Sequence, residues 1–189
     1  MIRIGILGSV GSGKSYVAKN FGYPVFNADL EVSKLYKTNK KIFNKLNKVL
    51  PNYIYSFPVN KNEMTKAILA NKSNLNKIVK IVHLEVRKKM NLFLKKNKKK
   101  KLIILDIPLL LENKINKKND ILVFVQSKKI DVLKKLKKRK NFNSKLVRIF
   151  SNIQLSAGYK KKKSQFIIKN DFTKKSVNSA IRKIIKEIL

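Results

Sequence analysis

The chain has 189 residues and a formal net charge of +36, from 46 lysines and arginines against 10 aspartates and glutamates. This length predicts one compact domain and excludes a multidomain machine. Isoleucine, leucine, valine and phenylalanine make up about 35% of the residues, which excludes a wholly disordered basic chain. Because cysteine is absent and there is one histidine, disulfides, thiolate chemistry and a structural zinc site are also excluded.

The positive charge has two interpretations. Strongly basic chains often bind nucleic acid or another polyanion. However, only five of the 46 basic residues are arginine, the residue that gives bidentate phosphate contacts, and the lysines are scattered among many asparagines and isoleucines. We therefore attribute most of the charge to a lysine-rich coding bias, and a selected polyanion-binding surface remains the alternative.

The sequence predicts neither a signal peptide nor a membrane span. The apolar stretch at the start is short and runs directly into glycines and a lysine, and the longer apolar runs are far too short to cross a bilayer. We therefore expect a cytoplasmic protein with no membrane partner and no specific nucleic-acid partner, present as a monomer or a weak homo-oligomer.

Short apolar runs without alternation, separated by helical periodicity, predict an α/β fold with a mostly parallel sheet. The predicted strands are residues 2–7, 25–26, 102–105, 121–125 and 166–168. The predicted helices are about 14–21, 128–139 and 144–155, a long amphipathic helix from Leu75 to Leu94, and a closing helix from Val177. We predict no strand between about 30 and 95, which indicates a helical insertion, and residues 95–101 are expected to form a solvated connection.

The first predicted strand runs into a glycine-rich motif, Gly8-Ser9-Val10-Gly11-Ser12-Gly13-Lys14-Ser15, which satisfies G-x-x-x-x-G-K-[ST]. Glycines let the backbone wrap closely around phosphate oxygens, so that its N–H groups form a cradle. Lys14 is expected to reach the β- and γ-phosphates, and Ser15 to ligate Mg²⁺. Since the chain has only six glycines and three lie in this octet, a chance match is a poor explanation.

Three of the ten acids follow predicted strands or an apolar turn. Ligands of open α/β sheets bind beyond the carboxyl ends of the strands, so Asp29 is a candidate for orienting and deprotonating an attacking hydroxyl. The alternative for Asp29 is the N-cap of the next helix. Asp106 resembles an acid that holds Mg²⁺, with a solvated strand end as the alternative. Glu112 either pairs with a base or holds a loop, and the spacing leaves both open.

Other candidates are basic. His83 and Arg87 lie four residues apart on the predicted long helix and so share one face, which suits an anionic substrate group, although a helical histidine is commonly structural. Arg139 stands among lysines at a helix end, where a mobile arginine would suit a transferring phosphoryl group. Residues 160–163 follow Gly158 and fit a closing lid, or they are simply solvated lysines.

Together these residues resemble the dephospho-coenzyme A kinase family over nearly the whole chain. The resemblance rests on residues 11–15, on Asn27-Ala28-Asp29, on His83 with Arg87, and on Asp106-Ile-Pro-Leu-Leu-Leu-Glu112. Arg139, Gln154 and Asn170 fall where the family has a late arginine, glutamine and asparagine. Asn27 departs from the family pattern, which has an acid at that position.

The resemblance implies a five-stranded parallel P-loop kinase with a helical substrate-binding insertion at about 30–95, a lid at about 139–163, and a nucleotide core at about 1–29, 102–138 and 164–189. It implies phosphoryl transfer from ATP, with Mg²⁺, to the ribose 3′-hydroxyl of dephospho-CoA. The alternatives are another small-molecule or nucleotide P-loop kinase and a nucleic-acid-binding NTPase. The implied site residues are, for catalysis, Asp29, Lys14 and Arg139; for ATP, Gly11, Ser12, Gly13, Lys14, Ser15 and Tyr16; for the acceptor, Asp29, His83, Arg87, Pro108, Leu109 and Glu112; and for Mg²⁺, Ser15 and Asp106.

Overall fold

A computed structural model describes residues 1–140 and 142–189. At its centre is a five-stranded parallel sheet with the strand order β2-β3-β1-β4-β5. The strands are β1 (Ile2–Gly8), β2 (Val25–Asn27), β3 (Leu102–Asp106), β4 (Ile121–Gln126) and β5 (Phe166–Lys169). Every residue of β3 is buried, as expected for a strand that is covered on both faces.

The helices within the described residues flank this sheet or lie in the stretch between β2 and β3. They are α1 (Lys14–Asn20), α2 (Ala28–Thr38), α3 (Lys40–Val49), α4 (Lys61–Ala70), α5 (Lys72–Lys96), α6 (Lys129–Lys137), α7 (Ser144–Asn152), α8 (Ala157–Lys162) and α9 (Lys174–Ile188). The predicted five-stranded parallel sheet flanked by helices is therefore confirmed. None of these described helices is both long and apolar enough to cross a bilayer.

One predicted helix is shorter than the sequence pattern suggested. The pattern indicated a helix over about 144–155, but α7 ends at Asn152. The N–H of Leu155 donates to a Glu112 carboxylate oxygen at 2.9 Å, and the Ser156 hydroxyl caps α8 by accepting from the N–H of Tyr159. The first contact takes the Leu155 N–H away from a continued helix and the second begins a new helix, and a local apolar pattern cannot reveal either.

The chain divides into two compact units. The first comprises Met1–Asn27 and Asn97–Leu189 and contains the whole sheet. Its core is built from strand residues and from one face each of α1 and α9. On α9 the buried residues Val177, Ile181 and Ile184 follow helical spacing, so the sequence periodicity correctly predicts the buried face.

The second unit, Ala28–Lys96, is entirely helical where it is regular. Its own core contains Leu35, Ile42, Leu46, Ile78 and Val82 among other buried residues. The connection between α3 and α4 is fixed by a buried carboxylate. Glu63 accepts hydrogen bonds from the N–H groups of Tyr55 and Ser56, which explains why an acid is tolerated at 4% exposure.

Candidate active site

The phosphate-loop motif forms the turn between β1 and α1, as the sequence predicts. Gly11 and Gly13 have left-handed backbone angles, with φ of 79° and 91°. A Cβ on Gly11 would come within 2.9 Å of Val132 and Leu136 of α6, so this position is closed to larger residues by packing as well. The loop is therefore held in one conformation by backbone preference and by the helix beside it.

Lys14 is the first residue of α1 and its ammonium group lies over the loop. Its Nζ donates to the carbonyl oxygens of Gly8 and Ser9, at 3.1 and 2.8 Å. The charge is thus held beside the backbone groups that the motif uses to bind phosphate. The predicted contact between Lys14 and a polyphosphate stays a prediction.

Asp106 ends β3, is buried, and belongs to the same unit as this loop. Its carboxylate accepts hydrogen bonds from the Ser15 hydroxyl and from the Asn27 side-chain amide. At 3% exposure it is not a solvated strand end, so that alternative is wrong. Burial raises the pKa of Asp106 above its usual range, and the hydrogen bonds from Ser15 and Asn27 and the charge of Lys14 offset part of this rise.

The oxygen atoms of Ser15 and Asp106 suit Mg²⁺, which prefers hard oxygen ligands and usually takes one or two protein groups together with substrate phosphates. Within residues 1–140 and 142–189, no cluster of three or more histidines and acids could hold a metal ion by itself. The oxygens of Ser15 and Asp106 would leave the other coordination positions of such an ion to substrate phosphates and water.

Glu112 forms a buried ion pair that the sequence pattern does not identify. Lys160 of α8 is 1% exposed, and its Nζ lies 2.7 Å from Glu112 Oε1. The same oxygen accepts from the N–H of Leu155, while the other carboxylate oxygen is buried without a hydrogen-bond partner in the described part of the chain. Both alternatives for Glu112 are therefore correct: it pairs with a base, Lys160, and it fixes a loop through the Leu155 N–H.

The other first-unit candidates differ in exposure. Pro108 and Leu109 are half-buried in the turn after β3, and the Pro108 carbonyl accepts from the Gln154 amide at 3.5 Å. Tyr16 is 41% exposed in the first turn of α1. Arg139 is exposed just after α6, and its N–H donates to the Leu136 carbonyl.

Three candidates belong to the second unit. Asp29 is exposed in the first turn of α2, which begins at Ala28, so it lies inside the helix and is not an N-cap. His83 and Arg87 lie on α5, as the spacing predicts. Partial burial and the nearby Arg87 charge lower the pKa of His83, and both effects favour a neutral imidazole.

The structure thus brings Lys14, Ser15 and Asp106 together in one unit. Two further side chains lie against the phosphate loop, because Ser127 and Asn170 both donate to the Ser12 carbonyl, at 2.9 and 2.8 Å. The sequence did not single out Ser127, and it pointed to Asn170 only as part of the family resemblance. Each of them directly follows a strand, β4 and β5 respectively. The rule that selected Asp29 and Asp106, polar residues beyond strand ends, would also have selected them.

The chain is similar in sequence and in fold to known proteins. The sequence model of the family described as "Dephospho-CoA kinase" matches residues 2–176. A protein named dephospho-CoA kinase from Wolbachia pipientis wMel is 34% identical, over 98% of this chain and 97% of its own length. Among solved structures, one from Thermus thermophilus has a TM-score of 0.77 at 22% identity and covers 100% of this chain and 98% of that one. A dephospho-CoA kinase from Campylobacter jejuni has a TM-score of 0.64 at 20% identity, over 98% of this chain and 96% of that one, and these two likenesses support the fold.

Proposed function

The chain belongs to the dephospho-CoA kinase family, and we propose that it transfers the γ-phosphoryl group of ATP to the ribose 3′-hydroxyl of dephospho-CoA, the last step of coenzyme A biosynthesis. The observation that carries the phosphoryl-transfer chemistry is the phosphate loop with the Ser15 hydroxyl bonded to the buried Asp106 carboxylate. The family match carries the choice of acceptor.

In this proposal the backbone N–H groups of residues 11–16 bind the phosphate oxygens, and Lys14 neutralises negative charge that develops on the transferred group. Ser15 and Asp106 would hold Mg²⁺, which, when bound, would shield the phosphate charges. The hydroxyl oxygen of the acceptor forms a bond to the γ-phosphorus, the bond between that phosphorus and the β–γ bridging oxygen breaks, and ADP leaves with the electron pair.

Asp29 accepts the proton of the attacking hydroxyl in this scheme. Its support is an exposed carboxylate placed two residues after Asn27, whose amide bonds to Asp106. A carboxylate within reach of a hydroxyl orients it and removes its proton as the new bond forms. Catalysis by this enzyme is then mostly positioning and electrostatic stabilisation.

We assign the remaining groups to the acceptor and to closure. His83 and Arg87 hold the acceptor on the helical unit, and Pro108, Leu109 and Glu112 line its binding region. Arg139 closes over the phosphates from a lid at about 139–163. We propose that the helical stretch of about 30–95 is the acceptor-binding part, and that the protein works in the cytoplasm as a monomer or a weak homo-oligomer.

The acceptor assignment is tested by incubating purified protein with ATP and Mg²⁺, with and without dephospho-CoA. We expect ADP and CoA to form together, in equal amounts and only when dephospho-CoA is present. A panel of other acceptors, including shikimate and nucleosides, serves as the control. Absence of CoA, or faster ADP formation with another acceptor, would contradict the proposal in favour of a different small-molecule kinase.

The base assignment is tested with Asp29→Asn, which keeps the side-chain shape and removes the proton acceptor. We expect turnover to fall by about 10²–10⁴-fold, the usual contribution of general base catalysis, while ATP still binds. Glu31→Gln, an acid in the same first turn of α2, is the matched control and should keep near-normal turnover. Near-normal turnover in Asp29→Asn would remove Asp29 from this role.

The alternative of a nucleic-acid-binding NTPase rests on the +36 charge. It requires tight DNA or RNA binding that weakens steeply with salt, together with ATPase activity that nucleic acid stimulates. Measuring ATP hydrolysis with and without nucleic acid, in the absence of dephospho-CoA, separates this alternative from the kinase.

A further inference from the structure

One carbonyl group of the phosphate loop is held by two side chains from outside the loop. The Ser12 oxygen accepts from the Asn170 amide at 2.8 Å and from the Ser127 hydroxyl at 2.9 Å. Asn170 is 3% exposed, and both residues belong to the same compact unit as the loop. A loop carbonyl with two converging donors has little freedom to rotate, since rotation would leave the buried Asn170 amide unsatisfied.

The Ser12 carbonyl fixes the direction of the next N–H group. A trans peptide unit is planar, so the carbonyl of Ser12 and the N–H of Gly13 point in opposite directions. Donors that hold the carbonyl on the side of Ser127 and Asn170 therefore direct the Gly13 N–H to the opposite side. N–H groups turned in this way are what a phosphate cradle consists of.

Packing at Gly13 supports the same interpretation. A Cβ at this position would lie 2.3 Å from the Asn170 amide nitrogen, so the asparagine side chain occupies the space that any other residue would need. Both the main chain and the side chain of Asn170 are held by hydrogen bonds. Its backbone N–H donates to the Gln126 carbonyl at 2.7 Å, and its side-chain oxygen accepts from the N–H of Phe172 at 2.9 Å.

We propose that Asn170 and Ser127 are positioning residues for ATP, which act by orienting the Ser12–Gly13 peptide so that the Gly13 N–H faces the phosphates. This role deepens the proposed kinase function, because it concerns the nucleotide half of that site. In this role, two residues at the ends of β4 and β5 raise the affinity for phosphate through the loop backbone, and neither residue needs to touch the nucleotide.

The experiment measures ATP affinity by titration calorimetry without any acceptor, so its result does not depend on which molecule is phosphorylated. Removal of one hydrogen bond that orients the loop should weaken ATP binding by about tenfold in Asn170→Ala and by somewhat less in Ser127→Ala. Ser127→Thr keeps the hydroxyl and should restore affinity. In steady-state assays the KM for ATP should rise while the KM for dephospho-CoA changes by less than about twofold.

The matched control is Gln165→Ala. Gln165 also connects β4 and β5, because its side-chain oxygen accepts a hydrogen bond from the N–H of Leu122 at 2.8 Å. This contact lies where the two strands begin, whereas Ser127 and Asn170 lie where they end. It should lower thermal stability and leave the Kd for ATP unchanged. The proposal is overturned if Asn170→Ala and Ser127→Ala lower only stability, if Gln165→Ala weakens ATP binding equally, or if Ser127→Thr fails to restore it.

The variants Ser127→Ala and Ser127→Thr carry the same test if Asn170→Ala does not fold, because loss of one hydroxyl group from a half-buried serine is a mild change. The double variant adds a further criterion. Because both side chains donate to the same carbonyl oxygen and orient the same peptide, their effects on the Kd for ATP should not add. Strictly additive effects would contradict a common action through the Ser12–Gly13 peptide.

Discussion

Asp106 and Asp120 are two buried aspartates whose surroundings give them opposite effects on stability. Asp120 lies just before β4 and pairs with the Arg3 guanidinium at 3.0 Å, so its charge is compensated. Asp106 ends β3 without an ion pair of this kind, and burial raises its pKa by more than the hydrogen bonds from neutral side chains and the nearby Lys14 charge lower it. A buried charge that is compensated only in part is expected where a protein keeps a group for binding rather than for stability.

Asp106→Asn should therefore raise the free energy of unfolding at pH 7 and lower activity. The raised pKa of Asp106 means that the folded state disfavours the carboxylate, so this stability deficit is present at neutral pH and disappears below the unfolded-state pKa of about 3.9. Turnover should fall by about a hundredfold or more, as for other groups that stabilise transition-state charge.

Urea unfolding of this variant at pH 7 and pH 4 measures the effect, with Asp120→Asn as the control. The control should have the opposite sign, because it leaves Arg3 buried without its counter-charge. A lower stability for Asp106→Asn at pH 7 would contradict the prediction.

The buried ion pair between Lys160 and Glu112 is expected to contribute to the free energy of unfolding. Lys160→Met keeps the apolar stem and leaves Glu112 buried and unpaired, so the free energy of unfolding should fall by about 3–5 kcal/mol. Lys162→Met, at an exposed position of the same helix, is the control and should change it by less than about 0.5 kcal/mol. Combining Lys160→Met with Glu112→Gln should recover part of the loss, and chemical denaturation measures all three variants.

Among the elements, the long helix α5 was predicted from apolar spacing, and its buried residues Leu75, Ile78 and Val82 follow that spacing. The shorter elements show the limit of such patterns. The apolar pattern predicted that α7 extends to residue 155. It could not show that Glu112, 43 residues earlier in the sequence, binds the Leu155 N–H. Periodicity reports which face is buried, whereas the end of a helix depends on which distant groups compete for its backbone.

Helix α5 also carries the one histidine of the chain, which gives a pH dependence. The pKa of His83 is lowered in the folded state, first by burial and then by Arg87, so the unfolded state takes up a proton first as the pH falls. Stability should therefore decrease as the pH falls from about 7 through the unfolded-state pKa of about 6.5. Urea unfolding at pH 7.5 and 5.5 measures this, and His83→Gln should flatten the dependence between these two values.

At the scale of the whole molecule, the +36 charge disfavours the compact state through repulsion. Exposed ion pairs such as Lys34 with Glu31 and Lys88 with Glu85 contribute little to stability. Potassium chloride should therefore raise the Tm between 20 and 300 mM, by about 2–4 °C for each kcal/mol of repulsion that it screens. A Tm that is constant or falls over this range would contradict the prediction.

The sequence by itself determined the parallel sheet, the phosphate loop and the family resemblance. Each of these is local: apolar runs report buried strands, and the glycines with Lys14 and Ser15 form one contiguous motif. The tertiary structure alone decided which polar residues are buried and with what partners. Asp106 is compensated only in part whereas Asp120 is paired with Arg3, and Lys160 is buried although most lysines are exposed. Asn170 holds the Ser12 carbonyl from 158 positions away in the sequence. The physical reason is that desolvation and hydrogen bonding depend on groups that the fold brings together, and a residue's own neighbours in sequence do not record them.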